Sequence, residues 1–339
     1  MEFLLISIIK IVLVLLVILT VVANLVYVER KVSAFMQNRI GPNRVGPMGL
    51  LQSPADVLKL FIKEDIVPAN ANRFIHTLAP IISITVALVT FAVIPFGNTI
   101  YLFGREIHLI IADVNIGVLY ILALTSLSVY GVTLSGWSSN NKYSLLGGLR
   151  SSAQMISYEL SMGLSVVGVI MVAGTLRLDR IVELQSGWQW NALLTPIGFI
   201  TFVVASFAET NRLPFDLPEA EPELVGGYHT EYSGMKFGTF FLAEYSNMIT
   251  SSALIVTLFL GGWQCPYIEK LALSSMWVSV IQMMTFVMKV GLMLFFYMWI
   301  RWTIPRFRYD QLMNLGWKVM LPLSLANLAV TAAWLLILR

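Results

Sequence analysis

Eight apolar stretches alternate with polar connections along the chain, at residues 4–28, 78–97, 116–137, 155–175, 192–209, 238–262, 276–300 and 314–337. About 20 apolar residues suffice for a helix to cross the hydrocarbon core of a bilayer. The pattern therefore predicts an all-α polytopic membrane protein with about eight transmembrane helices, forming a single transmembrane domain over residues 1–339. The long polar connections at 29–77, 138–154 and 210–237 are predicted to be loops on one side of the membrane.

Basic residues are unevenly divided between the two sides. Of the 22 lysines and arginines, 14 fall in the connections after the first, third, fifth and seventh stretches, and five fall on the opposite side. Because lysine and arginine accumulate in cytoplasmic loops, the three long polar loops are predicted to face the cytoplasm, with both termini outside. The first stretch is longer than the apolar region of a signal peptide, so we expect it to be retained.

The first polar loop predicts a short amphipathic helix at the membrane surface. Ser53 resembles an N-cap, with Pro54 at the first helical position. Charged and apolar side chains then fall on opposite faces: Asp56, Lys59 and Lys63 on one, Val57, Leu60 and Phe61 on the other. Such a helix suits a lipid-surface anchor, and it equally suits the edge of an entry path for an amphiphilic molecule.

Composition excludes several kinds of chemistry. The chain is 57% hydrophobic and only 12% charged, whereas soluble domains are about 25% charged. One cysteine and three scattered histidines cannot supply an iron–sulfur cluster or a zinc site, and no glycine-rich phosphate loop is present. We therefore expect no metal and no bound cofactor in this chain, and any electrons to come from other proteins or a lipid-soluble carrier. The net charge of +3 is too dispersed to predict nucleic-acid binding.

Acidic residues concentrate around the third polar loop. Six lie in or just beyond residues 208–224, and two more lie in neighbouring apolar stretches: Glu209, Asp216, Glu219, Glu221, Glu223 and Glu231, with Glu159 and Glu244. A charge at mid-membrane costs about 2.5–3.5 kcal/mol even on the mildest scale. The pattern therefore favours a function for these acids, and proton transfer is the leading candidate.

Each intramembrane acid also has a structural interpretation. Glu159 falls near the predicted start of the fourth helix, where the helix dipole favours an anion. Glu209 closes the fifth helix and needs a cation such as Arg212. Glu244 lies about two turns inside the sixth helix and has the weakest structural explanation. If the three helices are neighbours, the acids converge and titrate as one unit.

The loop acids and the other charged or aromatic positions leave alternatives open. Asp216, Glu219, Glu221 and Glu223 either feed protons to the cluster from the water side or form a solvated acidic loop, although interleaved prolines and apolar residues favour a packed loop. Lys289, halfway along the seventh helix, is either a proton-relay base or a counter-ion of these acids. Phe237, Phe240 and Phe241 either form core or lipid contacts or line an apolar channel.

Several motifs resemble a known family. The first loop contains Glu29-Arg-Lys31, Arg39-Ile-Gly-Pro-Asn-Arg-Val-Gly-Pro-Met-Gly-Leu-Leu-Gln52 and Ala55-Asp56. The second contains Gly136-Trp-Ser-Ser-Asn140 and Ala153-Gln-Met-Ile-Ser-Tyr-Glu159, and the third contains Ala208-Glu-Thr-Asn-Arg-Leu-Pro-Phe-Asp216 and Ala243-Glu244-Tyr245. In this order they resemble the quinone-site membrane subunit of respiratory complex I, which bacteria and mitochondria share.

The resemblance implies a function that periodicity alone does not. It implies a non-catalytic subunit of a proton-translocating NADH:quinone oxidoreductase, which forms the membrane side of a quinone tunnel. By motif position, Arg30, Arg39, Asp56 and Phe241 would lie along or near the tunnel. Glu159, Glu209, Asp216, Glu219, Glu221 and Glu244 would form an acidic path toward the pump modules.

The resemblance also implies the surroundings of the chain. Quinone would be the substrate, while flavin and iron–sulfur clusters would reside in peripheral redox subunits docked on the cytoplasm-side loops. Small membrane subunits, antiporter-like pump subunits and lipids would be the other partners. We expect a bacterial inner membrane, with mitochondrial inner or thylakoid membranes as alternatives.

Competing functions differ in what they require of the acids. A related energy-converting hydrogenase uses no quinone, and its third loop generally lacks the Asn-Arg-Leu-Pro-Phe-Asp-Leu-Pro-Glu-Ala-Glu pattern found here. A stand-alone transporter commonly has inverted repeats and broken helices at mid-depth, which the sequence does not display. A passive anchor needs no membrane-embedded acid. The sequence therefore favours a subunit of a redox-driven proton pump.

Overall fold

The computed structural model describes residues 2–102, 105–218, 220–266 and 274–338. Within these ranges the chain is mostly helical. The α-helices in chain order are α1 Glu2–Met36, α2 Gln52–Ile62, α3 Arg73–Val89, α4 Gly117–Ser138, α5 Lys142–Ala173, α6 Leu178–Leu184, α7 Asn191–Leu194, α8 Pro196–Glu209, α9 Glu221–Leu224, α10 Gly234–Phe259, α11 Ser275–Thr303, α12 Tyr309–Asn314 and α13 Leu321–Leu338. A π-helix, Leu315–Met320, joins α12 to α13.

The predicted helical membrane architecture is confirmed. In the described ranges, six helical segments are long and apolar enough to cross a membrane: Leu4–Met36, Arg73–Val93, Gly117–Ser138, Lys142–Ala173, Ser275–Thr303 and Tyr309–Ile337. The other two predicted stretches are also helical. Of these, α8 is apolar but has only 14 residues, and α10 has 26 residues and carries several polar groups.

The second polar loop was predicted too long. Instead of a loop over 138–154, only a short turn separates α4 from α5, which begins at Lys142. Asn141 is its N-cap, and its side-chain oxygen accepts a hydrogen bond from the Tyr143 amide at 2.9 Å. At 1.5 Å per residue, the 32 residues of α5 extend for about 48 Å, so the helix is longer than a bilayer core is thick.

The first polar loop contains the predicted short helix, but it starts earlier than expected. Helix α2 begins at Gln52 with Leu51 as an N-cap that forms no side-chain hydrogen bond, so the prediction that Ser53 caps it is wrong. The Ser53 side chain is buried inside the first turn. The apolar face is presented outward, with Val57 and Phe61 exposed. The rest of 29–77 is partly helical too, since α1 continues to Met36 and α3 starts at Arg73.

A small β-hairpin departs from the all-α prediction. Strands β1, Thr99–Leu102, and β2, Arg105–His108, pair antiparallel between α3 and α4. The Lys10 ammonium on α1 donates to the His108 carbonyl at 2.8 Å and the Ile110 carbonyl at 3.1 Å. These hydrogen bonds hold the Lys10 ammonium, which lies near the start of the first span. They join α1 to the hairpin region at the side that is predicted to face outside.

The third polar loop is packed against the helices. Its residues Arg212, Phe215 and Leu217 are buried. The following helix, α10, occupies the centre of the molecule, and every residue from Met248 to Phe259 is buried. Close packing also depends on glycine, since a side chain at Gly131 on α4 would approach the Ser83 hydroxyl on α3 to 2.2 Å. Helices α3 and α4 therefore approach each other closely at this point.

Candidate functional site: a buried network of acids and arginines

Arg212 links two acids from different helices. Its guanidinium lies 3.1 and 3.2 Å from the carboxylate oxygens of Glu29 on α1, and its Nε lies 2.6 Å from Glu244 on α10. The side chains of Arg212 and Glu29 are 3% and 7% exposed. Opposite charges taken out of water this completely are stable only when each is paired. The arginine therefore fixes the third loop to α1 and α10.

Two further groups complete the environment of Glu29. Arg301 on α11 forms an ion pair with its Oε1, and the Tyr245 hydroxyl donates to its Oε2 at 2.8 Å. The Arg212 guanidinium also stacks over the Tyr245 ring, 4.3 Å from the ring centre. Four segments of the chain therefore meet at Glu29, which lies in the C-terminal part of the long helix α1.

The charge state of Arg212 is set by its acidic neighbours. Burial alone would lower the pKa of a guanidinium, but Glu244 and Glu29 outweigh it, so the pKa of Arg212 is raised. Arg212 therefore remains a cation under all ordinary conditions. Its partners are Glu29 and Glu244, so Arg212 does not supply the cation that the structural interpretation of Glu209 requires.

Asp216 forms a second charged pair in the same loop. Its Oδ2 accepts from Arg306, beyond α11, at 2.8 Å, and the residue is 8% exposed. Burial raises the pKa of Asp216 to about 6, although Arg306 opposes the shift; the charge of Glu244 adds to it. A carboxyl group with this pKa changes protonation close to neutral pH, and it responds to the charge of Glu244.

A small polar cavity lies between Glu244 and Glu209. It has a volume of about 30 Å³ and is lined by both carboxyl-bearing residues and by Ser83, Ser128, Thr210, Asn211 and Asn247, while Val132, Met155, Tyr228, Phe240 and Ala243 complete its wall. A cavity needs about 10–15 Å³ to hold one water and several polar partners to bind it. The cavity therefore has the size and the lining for one or two waters that would connect the two acids.

Glu209 and Glu159 form the next pair along this line. Glu209 lies beside the Thr125 hydroxyl on α4 and within electrostatic reach of Glu159 on α5. Glu159 in turn accepts a hydrogen bond from Ser126. Because α5 begins at Lys142, Glu159 lies 17 residues inside it, and the helix dipole does not account for an acid there. Glu244 is likewise deeper than predicted, ten residues into α10.

The remaining predicted proton-path residues lie elsewhere. Glu223 is exposed and pairs with Arg150 at 2.7 Å, in contact with solvent. Glu219, and the side chain of Glu221, lie outside the described residues. The Lys289 ammonium binds the carbonyls of Leu260, Gly262 and Gln264 beyond the far end of α10, at 2.8–3.1 Å. Since Leu260 is 16 residues, or about 24 Å, from Glu244 along this helix, Lys289 is not brought to the acid cluster.

The predicted quinone-site charges lie at the junction of α1 and α2. Arg30 pairs with Asp56 at 2.6 Å, and Gln52 also donates to Asp56 at 3.0 Å. Both charged side chains are partly exposed. Arg39 is exposed in the turn that follows α1. This partly solvent-exposed ion pair thus attaches helix α2 to α1.

The three phenylalanines of α10 divide into two groups. Phe240 is buried against Tyr228 and Tyr232, so it is a core residue. Phe237 and Phe241 pack on each other with ring centres 4.7 Å apart, and both contact the ring of His229. Burial lowers the pKa of His229 to about 4, so its ring is neutral at physiological pH. These neutral rings form an aromatic surface beside the start of α10.

Comparison with known proteins shows which family this chain resembles. The model of the NADH dehydrogenase family matches residues 9–332. NADH-quinone oxidoreductase subunit 8 of Rhodothermus marinus is 58% identical over 319 residues, covering 91% of each chain. An NADH-quinone oxidoreductase subunit of Cytophaga hutchinsonii is 53% identical, covering 92% of this chain and 91% of the relative. Another from Geobacter metallireducens is 52% identical, covering 97% and 96%.

The chain belongs to the NADH dehydrogenase family. The predicted family resemblance is therefore confirmed over nearly the whole sequence. Relatives in this family are named as subunits of a multi-subunit oxidoreductase. In the described part of this family member, no three histidine, cysteine or acidic side chains come together as metal ligands.

Sequence reasoning missed several members of the charged network. Glu29 is recognised from the sequence only as part of a motif, while Arg301, Arg306 and Tyr245 are not predicted as site residues. One signal was available: Glu29 and Arg301 are charged residues at the inner ends of long apolar stretches, where an unpaired charge is costly. Which acid meets which arginine depends on helix packing, which sequence spacing does not reveal.

Proposed function

We propose that this chain is the quinone-side membrane subunit of a proton-translocating NADH-quinone oxidoreductase, and that its buried acids couple quinone reduction to proton transfer. Membership of the NADH dehydrogenase family supports the enzyme class. The observation that carries the coupling role is the water-sized polar cavity shared by Glu244 and Glu209. A purely structural helix contact would not require two acids around such a space.

The proton path runs from the third loop into the helix bundle. Asp216 and Glu244 are electrostatically linked, the cavity joins Glu244 to Glu209, and Glu209 is linked to Glu159. A charge that appears next to one member changes the protonation of its neighbours, because close carboxylates in a low-dielectric site titrate as a unit. In this proposal Glu219, Glu221 and Glu223 exchange protons with the aqueous side, and Lys289 takes no part.

The quinone path lies beside α1, α2 and the start of α10. Leu60 of α2 lies next to Gly238 of α10, and the ion pair of Arg30 with Asp56 joins α2 to α1. An isoprenoid tail would pass the aromatic surface of Phe237 and Phe241, while Arg30, Asp56 and the exposed Arg39 would interact with polar parts of the molecule. The exposed apolar face of α2 suits either the membrane surface or the edge of this entry path.

The membrane topology follows from the same proposal. In this topology eight helical stretches cross the bilayer, with α7 and α8 together forming the fifth. Both termini face outside, and the three polar connections face the cytoplasm. Peripheral subunits that hold flavin and iron–sulfur clusters dock on those connections, while small membrane subunits and antiporter-like subunits flank the helices. The protein resides in a bacterial inner membrane. The energy-converting hydrogenase alternative has no comparable support, because the relatives are named for a quinone-reducing enzyme.

Replacement of Glu244 by glutamine in the assembled complex tests the proposal. Glutamine keeps the size and polarity of the side chain but cannot exchange a proton, so quinone reduction and proton pumping should both fall severalfold while the complex still assembles. Glu183→Gln is the matched control, because Glu183 is a surface acid paired with Arg180 at 2.7 Å, outside the network. Normal pumping by Glu244→Gln would refute the relay role.

A further inference from the structure

An apolar groove on the membrane face of the molecule has no role in the proposed function. It lies between α8, α11 and the π-helix, has a volume of about 710 Å³ and is lined almost entirely by apolar side chains, including Phe199, Val203, Phe296, Leu315 and Met320. Ligand pockets commonly enclose about 300–1,000 Å³. Ile200 and Leu292, which also line the groove, are 61% exposed, so it is open on the outer surface of the bundle.

Helix α8 provides one wall of the groove, from Phe199 to Phe207. Its 14 residues extend for about 21 Å, whereas the hydrocarbon core of a bilayer is about 30 Å thick. Its neighbours α11 and the continuous helical segment Tyr309–Ile337 have 29 residues each. Among the described residues no helix covers the space where α8 faces α11, so the apolar side chains of both walls are open to the surface. Inside a membrane this space has to be filled by something with apolar chemistry.

Cations adjoin several of the residues that line the groove, mainly toward one end. Pro214, Phe215, Ile304 and Phe307 line this end. Three cations flank lining residues, and we call them the basic mouth: Arg306 and Arg308 on either side of Phe307, and Lys318 between Leu315 and Met320 on the π-helix. Arg306 pairs with Asp216, and Arg308 forms a longer, exposed contact of 3.5 Å with Asp310. Lys318 is exposed and forms no salt bridge among the described residues, so the mouth carries an excess positive charge.

We propose that this groove binds one acyl chain of an anionic phospholipid, whose phosphate lies between Arg308 and Lys318. Basic pockets between membrane helices on the cytoplasmic side attract anionic head groups, and each cation near the surface contributes about 1 kcal/mol. The exposed Trp317, on the π-helix, supports a position of the mouth at the level of the head groups. The assignment to the cytoplasmic leaflet rests on the topology in the proposed function; lipid binding itself does not.

Binding there would also support the third loop. Pro214 and Phe215 form part of the groove wall, and the Pro214 carbonyl accepts from the Phe307 amide at 3.2 Å. Asp216 follows directly in the chain. An acyl chain packed against this wall would restrict the loop that carries the Asp216 carboxyl group, which connects lipid content to the charged network.

The test uses the full-length chain in nanodiscs of equal parts phosphatidylglycerol and phosphatidylcholine, followed by release into mild detergent and native mass spectrometry. The wild type should retain one phosphatidylglycerol in preference to phosphatidylcholine. Val203→Trp, which fills the groove, should abolish retention, and Leu292→Trp on the opposite wall provides a second variant if the first does not fold. Leu160→Trp places the same side chain at an exposed apolar position of α5 and should change nothing.

The head-group specificity is tested separately. The double substitution Arg308→Gln/Lys318→Gln should lower the preference for phosphatidylglycerol by about 10- to 30-fold, because two cations are removed. Arg180→Gln, an exposed arginine at the opposite side, is the control. Unchanged retention in Val203→Trp and Leu292→Trp, an unchanged preference in the double variant, or a protein helix occupying the groove in the assembled complex would each overturn the proposal. None of these results bears on the Glu244→Gln test.

Discussion

Arg212 offers the most direct test of the buried network, because it bridges two acids that have little access to water. In Arg212→Met, Glu29 keeps Arg301 and the Tyr245 hydroxyl, but Glu244 loses its only ion pair among the described residues. Removing one partner of a buried pair costs about 3–5 kcal/mol. A proton bound by the unpaired Glu244 would relieve part of that penalty. We therefore expect Arg212→Met to lower the free energy of unfolding by about 3 kcal/mol, at the lower end of this range.

The measurement is the free energy of unfolding of the full-length chain in mixed micelles, titrated with sodium dodecyl sulfate and followed by circular dichroism. Arg212→Lys keeps the positive charge but lacks the separate guanidinium nitrogens that contact Glu29 and Glu244. Its loss of unfolding free energy should therefore lie between those of the wild type and Arg212→Met. Arg212→Met/Glu244→Gln should be more stable than the sum of the single changes predicts, by about 0.5–3 kcal/mol, because the stranded acid is neutralised. Arg308→Met, in an exposed pair, is the control and should cost at most about 1 kcal/mol.

Two results would contradict this reasoning. If Arg212→Met costs no more than Arg308→Met, the Arg212 pairs do not stabilise the fold in the way that their burial requires. If the double variant shows no coupling, Glu244 is not the acid left unpaired. Either outcome would remove the structural basis for treating the third loop and α10 as one charged unit.

Two further predictions concern Asp216 and Arg39. Because the folded-state pKa of Asp216 is raised to about 6, the folded protein binds an extra proton between about pH 4 and 6, so stability should fall as pH rises through this range. Asp216→Asn should remove that part of the pH dependence in unfolding titrations, and an unaltered pH profile would contradict the assignment. Arg39→Ala should reduce quinone-dependent turnover of the assembled complex more than electron transfer to an artificial acceptor; equal losses in both assays would argue against a quinone-site role.

The sequence predicted the helices well because long apolar segments have few other stable arrangements in a bilayer. It failed for the second polar loop because residues 142–154 form a polar extension of α5 that continues beyond the apolar stretch. Because the predicted helix began at residue 155, Glu159 was placed near a helix start, where the helix dipole would favour its negative charge. A helix that extends out of the membrane has no hydrophobic signal for its true beginning.

The sequence indicated which charges lie among the helices but not which partners they meet. Glu209 and Glu244 were identified from the cost of a buried acid, and the structure joins them through a cavity. Arg212 does not provide the counter-ion of Glu209, because the chain turns after α8 and the guanidinium contacts Glu29 on α1 and Glu244 on α10. Lys289 was grouped with the acids because both are intramembrane charges, yet it caps backbone carbonyls at the opposite end of α10.

Infrared difference spectroscopy of the assembled complex tests the central claim, that the buried acids exchange protons in response to quinone reduction. On reduction of bound quinone, the wild type should show a change in the carbonyl stretching band of protonated carboxyl groups. This change should disappear or shift in Glu244→Gln and persist in the surface control Glu183→Gln. A spectrum of Glu244→Gln identical to that of the wild type, in a complex that reduces quinone normally, would contradict the account.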